Sequence, residues 1–205
     1  MKALKILGYV FLDIVLLAAA FVSGSFVEFM VLDKIKTEKY VSGELAIHFL
    51  ELGNHFAGDC VYIKCGENDI LIDAGSRNNS ASTIIDYVDD FVTDNKLEYV
   101  IATHAHEDHL AGFYDESDRT GIFTHYDVDY IIDFPKTNKE PTSRSVLGKY
   151  IAARDKEVEE GAKHYTALEC YNNEKGAQRK YQLSQDVELE ILYNYYYDHS
   201  YSSGE

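Results

Sequence analysis

Positive charge is scarce in this chain: 19 Lys and Arg stand against 35 Asp and Glu, a formal net charge of −16 at pH 7. Without a basic surface to release counterions, unassisted binding to nucleic-acid phosphate backbones is opposed. Cysteine is equally sparse. Cys60, Cys65 and Cys170 make an odd set with no Cys-x-x-Cys pair, which indicates neither a disulfide framework nor a cysteine-rich metal site. If residues 60 to 65 form one strand, Cys60 and Cys65 point to opposite faces and cannot bridge, so packing is their role. No internal repeat or low-complexity tract is visible. What is present is a 46% hydrophobic content over 205 residues, which excludes a disordered protein and suits one sizeable core better than two.

Between Lys5 and Glu28 the only charge is Asp13. As a helix, residues 6–27 would reach about 33 Å, enough to cross a hydrocarbon core of about 30 Å. The segment reads as a membrane anchor or as a signal sequence cut after Ser23 to Ser25, with a buried helix as the third alternative. Lysines flank it on both sides, Lys2 and Lys5 against Lys34, Lys36 and Lys39, so charge does not set its orientation. The short tail before it favours a domain outside the cytoplasm, membrane-anchored or secreted. Residues 1–32 are thus the anchor or signal segment, 33–43 a linker, and 44–205 the folded domain.

Within that domain short apolar runs alternate with turn residues. Ala46 to Leu52, with Ile47 and Phe49 on one parity, and Cys60 to Cys65, with Val61 and Ile63, read as strands. Asp69 to Ala74 and Tyr99 to Thr103 carry runs suited to buried strands. Between them Ile84, Ile85, Val88, Phe91 and Val92 recur at helical spacing after Ser80 and Ser82, either of which suits the N-cap. Asp129 to Phe134 reads as a strand stopped by Pro135. Ser143 to Gly161 reads as an amphipathic helix carrying Val146, Leu147, Tyr150, Ile151 and Val158, with the acidic run Glu157, Glu159 and Glu160 on its solvated face. Val187 to Tyr195 alternates as a half-exposed strand. The order of elements predicts an α/β fold.

Directly after the strand at 99–103 stands Thr103-His104-Ala105-His106-Glu107-Asp108-His109. Loops at the carboxyl ends of strands are where open α/β sheets place ligands. In an extended loop His104 and His106 point to the same side and can share one ion, while Asp108 and His109, where the chain turns towards a helix, diverge towards a second position. The spacing suggests two metals close together, and imidazole and carboxylate without thiolate suit Zn²⁺, with Mn²⁺ or Fe as substitutes. Such a site lowers the pKa of bound water to around 7 and supplies hydroxide as the nucleophile. A divalent pair would also reverse the negative charge locally.

His104-Ala105-His106-Glu107-Asp108-His109 resembles the His-x-His-x-Asp-His signature of the metallo-β-lactamase superfamily, and Asp73-Ala74-Gly75 after Ile70-Leu71-Ile72 resembles its upstream Asp-x-Gly. The resemblance implies an αββα sandwich in which His104 and His106 serve the first metal and Asp108 and His109 the second. Asp108 also orients the nucleophilic water, and Asp73 braces the metal loop from behind. Ile47 to Gly53 with Ala57-Gly58-Asp59-Cys60 is similar to the branch containing the C-terminal domain of the bacterial DNA-uptake channel protein, which places Gly58 and Asp59 at the mouth of the site; a tight turn explains them equally.

The superfamily's later Gly-Asp and still later histidine have no counterpart before Glu205, so the resemblance implies one half of the sandwich and the start of the second, a piece of a longer protein, with a short inactive relative as the alternative. Among downstream histidines His199 is best placed as the further ligand of the first metal, ahead of His164 and His125; His48 and His55 belong to strand and loop. Tyr193, Tyr195, Tyr196 and Tyr197 suit amphipathic packing at a strand end better than an aromatic wall for a ligand. The expected activity is metal-dependent hydrolysis of a phosphodiester or another ester. The rival is a non-catalytic anchored module that binds metal or a partner. Charge disfavours nucleic acid as the substrate and leaves small molecules.

Overall fold

Strands shorter than eight residues, rich in Ile, Val and Tyr, set the frame of this molecule. Its computed structural model describes residues 45–192 apart from 54–56, 77–79, 135, 138 and 139. Six strands form one sheet in chain order: β1 (Leu45–Phe49), β2 (Val61–Cys65), β3 (Asn68–Ile72), β4 (Lys96–Ala102), β5 (Asp127–Asp133) and β6 (Lys163–Thr166). The first three are antiparallel neighbours; β3 to β6 are parallel. Cys65 pairs with Asn68 across a two-residue loop whose first residue, Gly66, has φ 59°, the conformation a type II′ hairpin turn requires there.

Parallel neighbours need crossovers, and helices supply them. Helix α1 (Ser80–Val88) joins β3 to β4, α2 (Glu107–Leu110) and α3 (Ile122–His125) join β4 to β5, and α4 (Val146–Glu160) joins β5 to β6. Ile84, Val88, Leu110, Ile122 and Tyr150 of these helices bury against Leu71, Val100 and Ile131 of the sheet. The opposite face, with Cys65, Ile70, Tyr99 and Ile132, is covered by Cys170 of α5 (Ala167–Asn172) and by the hairpin β7 (Lys180–Gln182) and β8 (Glu188–Glu190). Cys60 and Cys65 are buried free thiols on opposite faces of the sheet.

Several expectations are corrected at the level of single residues. The strand at 46–52 is Leu45–Phe49, and its Ile47 and Phe49 are 52% and 82% exposed. The buried layer is met instead by His48, which packs on Tyr62, Tyr87 and Phe91. As the edge strand, β1 lies at the rim of the sheet, one face against α1. The helix over 84–92 ends at Val88, and Ser82 sits inside its first turn rather than at the cap. In α4 the N-cap is Ser145, whose side chain accepts from Gly148 N. Val158 points outward, whereas Glu157, read as part of a solvated face, is only 5% exposed: it shares a helical face with Tyr150 and Ala153.

Among the described residues no helix is long and apolar enough to cross a membrane. The apolar segment 6–27, the boundaries of the linker, His55, Pro135, Tyr193, Tyr195, Tyr196, Tyr197 and His199 lie outside the described residues.

Candidate metal centre

Three loops meet above the carboxyl ends of β3 and β4, and backbone hydrogen bonds tie them together. Asp59 N donates to Asp108 O at 3.1 Å, Gly75 N to Asp59 O at 2.9 Å, and Ala74 N to His109 O at 2.8 Å. The join leaves no room for side chains. A Cβ on Gly112 would stand 2.1 Å from Ala74 O, and one on Gly58 would stand 2.6 Å from Ser76 N. Gly58 therefore serves as a close-packing point, and Asp59 beside it reaches the cluster, its Oδ2 3.8 Å from His109 Nε2.

Asp73 sits at the join with φ 60°, left-handed backbone that an Asp tolerates better than most residues. Its buried carboxylate accepts from Thr103 N at 2.8 Å, from Thr103 Oγ1 at 2.6 Å and from His109 Nδ1 at 2.7 Å. These bonds decide both imidazoles. His109 donates through Nδ1, so the lone pair of Nε2 faces Asp108 Oδ2, 3.7 Å away, and Asp59 Oδ2. The single hydroxyl proton of Thr103 goes to Asp73, so Thr103 Oγ1 accepts from His104 Nδ1 at 3.1 Å, leaving His104 Nε2 also free to donate electrons.

The rings of His104 and His109 lie 3.9 Å apart and those of His104 and His106 4.6 Å apart. Burial, then the neighbouring His109 and His106, hold the pKa of His104 below its ordinary value, which favours the neutral ring a metal requires. Burial opposes charge on His109 as well, but the hydrogen bond and charge of Asp73, with Asp108 and Asp59, outweigh it and raise its pKa. Such a ring meets a cation in place of a proton. Burial, then Asp73, pushes the Cys60 thiol up, so it is no ligand.

Neighbouring ligands of one tetrahedral ion at about 2.0 Å stand roughly 3.3 Å apart. The spacings at His109 Nε2 are a few tenths of an ångström wider. Among the described residues no group of three or more His, Cys, Asp or Glu side chains is arranged to hold a metal ion as it stands. The donor set of three imidazoles and two carboxylates, with the tautomers of His104 and His109 fixed from behind, nevertheless suits hard or borderline divalent ions in its chemistry.

Of the other histidines among the described residues, none lies in the cluster. His48 Nδ1 meets Tyr87 OH at 2.7 Å, His125 Nε2 meets Asp89 at 3.0 Å, and His164 Nε2 lies 2.9 Å from Asp133 on β5. Sequence reasoning missed Thr103 as the relay between Asp73 and His104, and Gly112 as a packing point; both stand at the ends of the histidine motif, and only the adjacency of Thr103 to His104 signals either.

Comparison with known proteins matches residues 53–161 to a family model described as the metallo-beta-lactamase superfamily. No curated protein matches the chain.

Proposed function

The chain belongs to the metallo-β-lactamase superfamily, and from that membership we propose that it is a metal-dependent hydrolase acting on a phosphodiester or another small ester. Members of the superfamily typically bind Zn²⁺. The observation that carries the reading is the triple acceptance by Asp73, which makes Nδ1 the proton-bearing atom of His109 and, through Thr103, of His104, and so leaves both Nε2 atoms as potential ligands. In this reading His104 and His106 hold the first ion, with His199, outside the described residues, as its further ligand. Asp108 and His109 hold the second. A zinc pair so held would lower the pKa of water to around 7 and polarise the bond to be cleaved.

The chain's own residues do the rest. The half-exposed Asp108 carboxylate beside His109 Nε2 accepts a hydrogen bond from the attacking water and so orients it. Asp59, with its carboxylate exposed at the mouth, repels anions that approach off the axis of the site. The hydrogen bonds of Asp73 hold the imidazoles in position through the reaction. The apolar run 6–27 adds the proposal that the enzyme is membrane-anchored or exported.

The test uses the full-length protein and its His106→Ala variant, with zinc content measured alongside hydrolysis of a phosphodiester, a carboxylic ester and a β-lactam reporter. Wild type should carry zinc and turn over at least one reporter, and the variant should lose both. A zinc-loaded wild type that hydrolyses no reporter faster than the variant would instead leave a non-catalytic metal-binding module.

A further inference from the structure

Away from the histidine cluster, α3 and α4 leave an open groove of about 520 Å³ between them. Its lining includes Tyr114 and Phe123, both almost fully buried, and the small residues Ala152 and Ala153. Two lysines line it, and both have carboxylate partners: Lys149 Nζ bonds Glu116 at 2.6 Å, and Lys156 Nζ lies 3.5 Å from Glu160. Asp115 is likewise engaged, accepting from Gly121 N at 2.7 Å and from Thr124 Oγ1 at 3.0 Å.

Glu157 is the exception. It lines the same groove, is 5% exposed, and has neither a hydrogen bond nor an ion pair among the described residues. Buried carboxyl groups are ordinarily paired, because an unpaired one loses its hydration without compensation. Burial, then repulsion from Glu160 and Asp127, outweighs the attraction of Lys156 and pushes this carboxyl up to about 7. An apolar body in the groove would cover Ala152 and Ala153, and an N–H donor at its end would meet the Glu157 carboxylate. A negatively charged molecule would meet a carboxylate that no hydrogen bond satisfies, whereas a cation gains from both that group and the net charge of −16.

We propose that the groove between α3 and α4 binds a small organic cation, an alkyl ammonium or alkyl guanidinium, whose N–H groups donate to the Glu157 carboxylate. Either head group supplies N–H donors to that carboxylate. The site shares no residue with the histidine cluster, so it stands whether or not that cluster hydrolyses an ester.

The probes are n-butylammonium and n-butylguanidinium, titrated into the full-length protein at pH 8.0 and constant ionic strength while backbone amide resonances are followed. Tetramethylammonium, a cation without N–H donors, is the control. Saturable shifts confined to Thr124, Ala152, Ala153 and their neighbours are expected for one or both probes, with affinity at least tenfold weaker in Glu157→Gln. Should Glu157→Gln fold poorly, Ala152→Phe, at an exposed position of α4, blocks the groove and should abolish the same shifts. Shifts that fail to saturate, that tetramethylammonium reproduces, or that persist unchanged in Glu157→Gln and Ala152→Phe would overturn the proposal.

Discussion

Asp73 carries out two tasks with four atoms: it holds a left-handed turn and it accepts three hydrogen bonds that orient the histidine loop. Asn at that position keeps the backbone preference, but its amide nitrogen donates where Thr103 Oγ1 and His109 Nδ1 also donate. Asp73→Asn is therefore expected to weaken zinc affinity by roughly 10–100-fold while the fold persists. A competition titration against a chelator measures it, and an unchanged affinity would detach Asp73 from the metal. Glu157 supplies the second prediction at this scale. Its carboxyl titrates at about 7 in the folded chain against an ordinary value of 4.5. The folded state therefore holds the proton more tightly than the unfolded one, and the stability this contributes is present below pH 4.5 and lost as pH rises through 7. Glu157→Gln removes that slope and is expected to exceed wild type by about 1 kcal/mol at pH 8, with the difference vanishing at pH 4.5, as denaturant titrations at the two pH values would read. The same residues show what the sequence made legible. The spacing of His104, His106, Asp108 and His109 announces itself because no ordinary loop needs it. Glu157 was hidden among acidic neighbours: one step along a helix turns a side chain by 100°, and its burial depends on the placement of α3.

At the scale of elements, the site depends on how closely two loops approach. Gly112 follows α2, and any side chain there would meet the Ala74 carbonyl beside Asp73. Gly112→Ala must push α2 away from the turn at 73–75, breaking or stretching the bond from Ala74 N to His109 O. An expected loss of about 2–4 kcal/mol in unfolding free energy, with weakened zinc binding, follows from overpacking a backbone contact that cannot yield. Wild-type stability in the variant would mean that the loops tolerate separation. Strand β2 and helices α1 and α4 were legible from their period, and β3 and β4 from short unbroken apolar runs bounded by polar residues. Segments β6 and β7, of four and three residues, contain too few alternations to register. Helix α5 did leave a signal that went unread, the capping box of Thr166 and Glu169, in which each side chain bonds the other's backbone N–H.

For the molecule as a whole, composition and fold act in different directions. The α/β class followed from element order, whereas the edge position of β1, which leaves Leu45, Ile47 and Phe49 exposed, depends on pairing that no local pattern encodes. Net charge, by contrast, is fully legible and acts over distances longer than any hydrogen bond. At −16 the chain repels an approaching anion until salt screens it, and the Debye length shortens from about 30 Å at 0.01 M to about 10 Å at 0.1 M. Steering of this kind changes the encounter rate rather than the chemistry. If the enzyme cleaves an anionic phosphodiester, kcat/KM should rise about two- to fivefold between 10 and 200 mM NaCl, because screening removes the repulsion, while a neutral carboxylic ester should show little change. Divalent ions held at the cluster would be attractive but short in reach, flanked by the carboxylates of Asp59 and Asp108. A kcat/KM that instead falls with salt would show that the field of the metal site, rather than that of the acidic body, governs the approach, and would restore longer nucleic acids as candidate substrates.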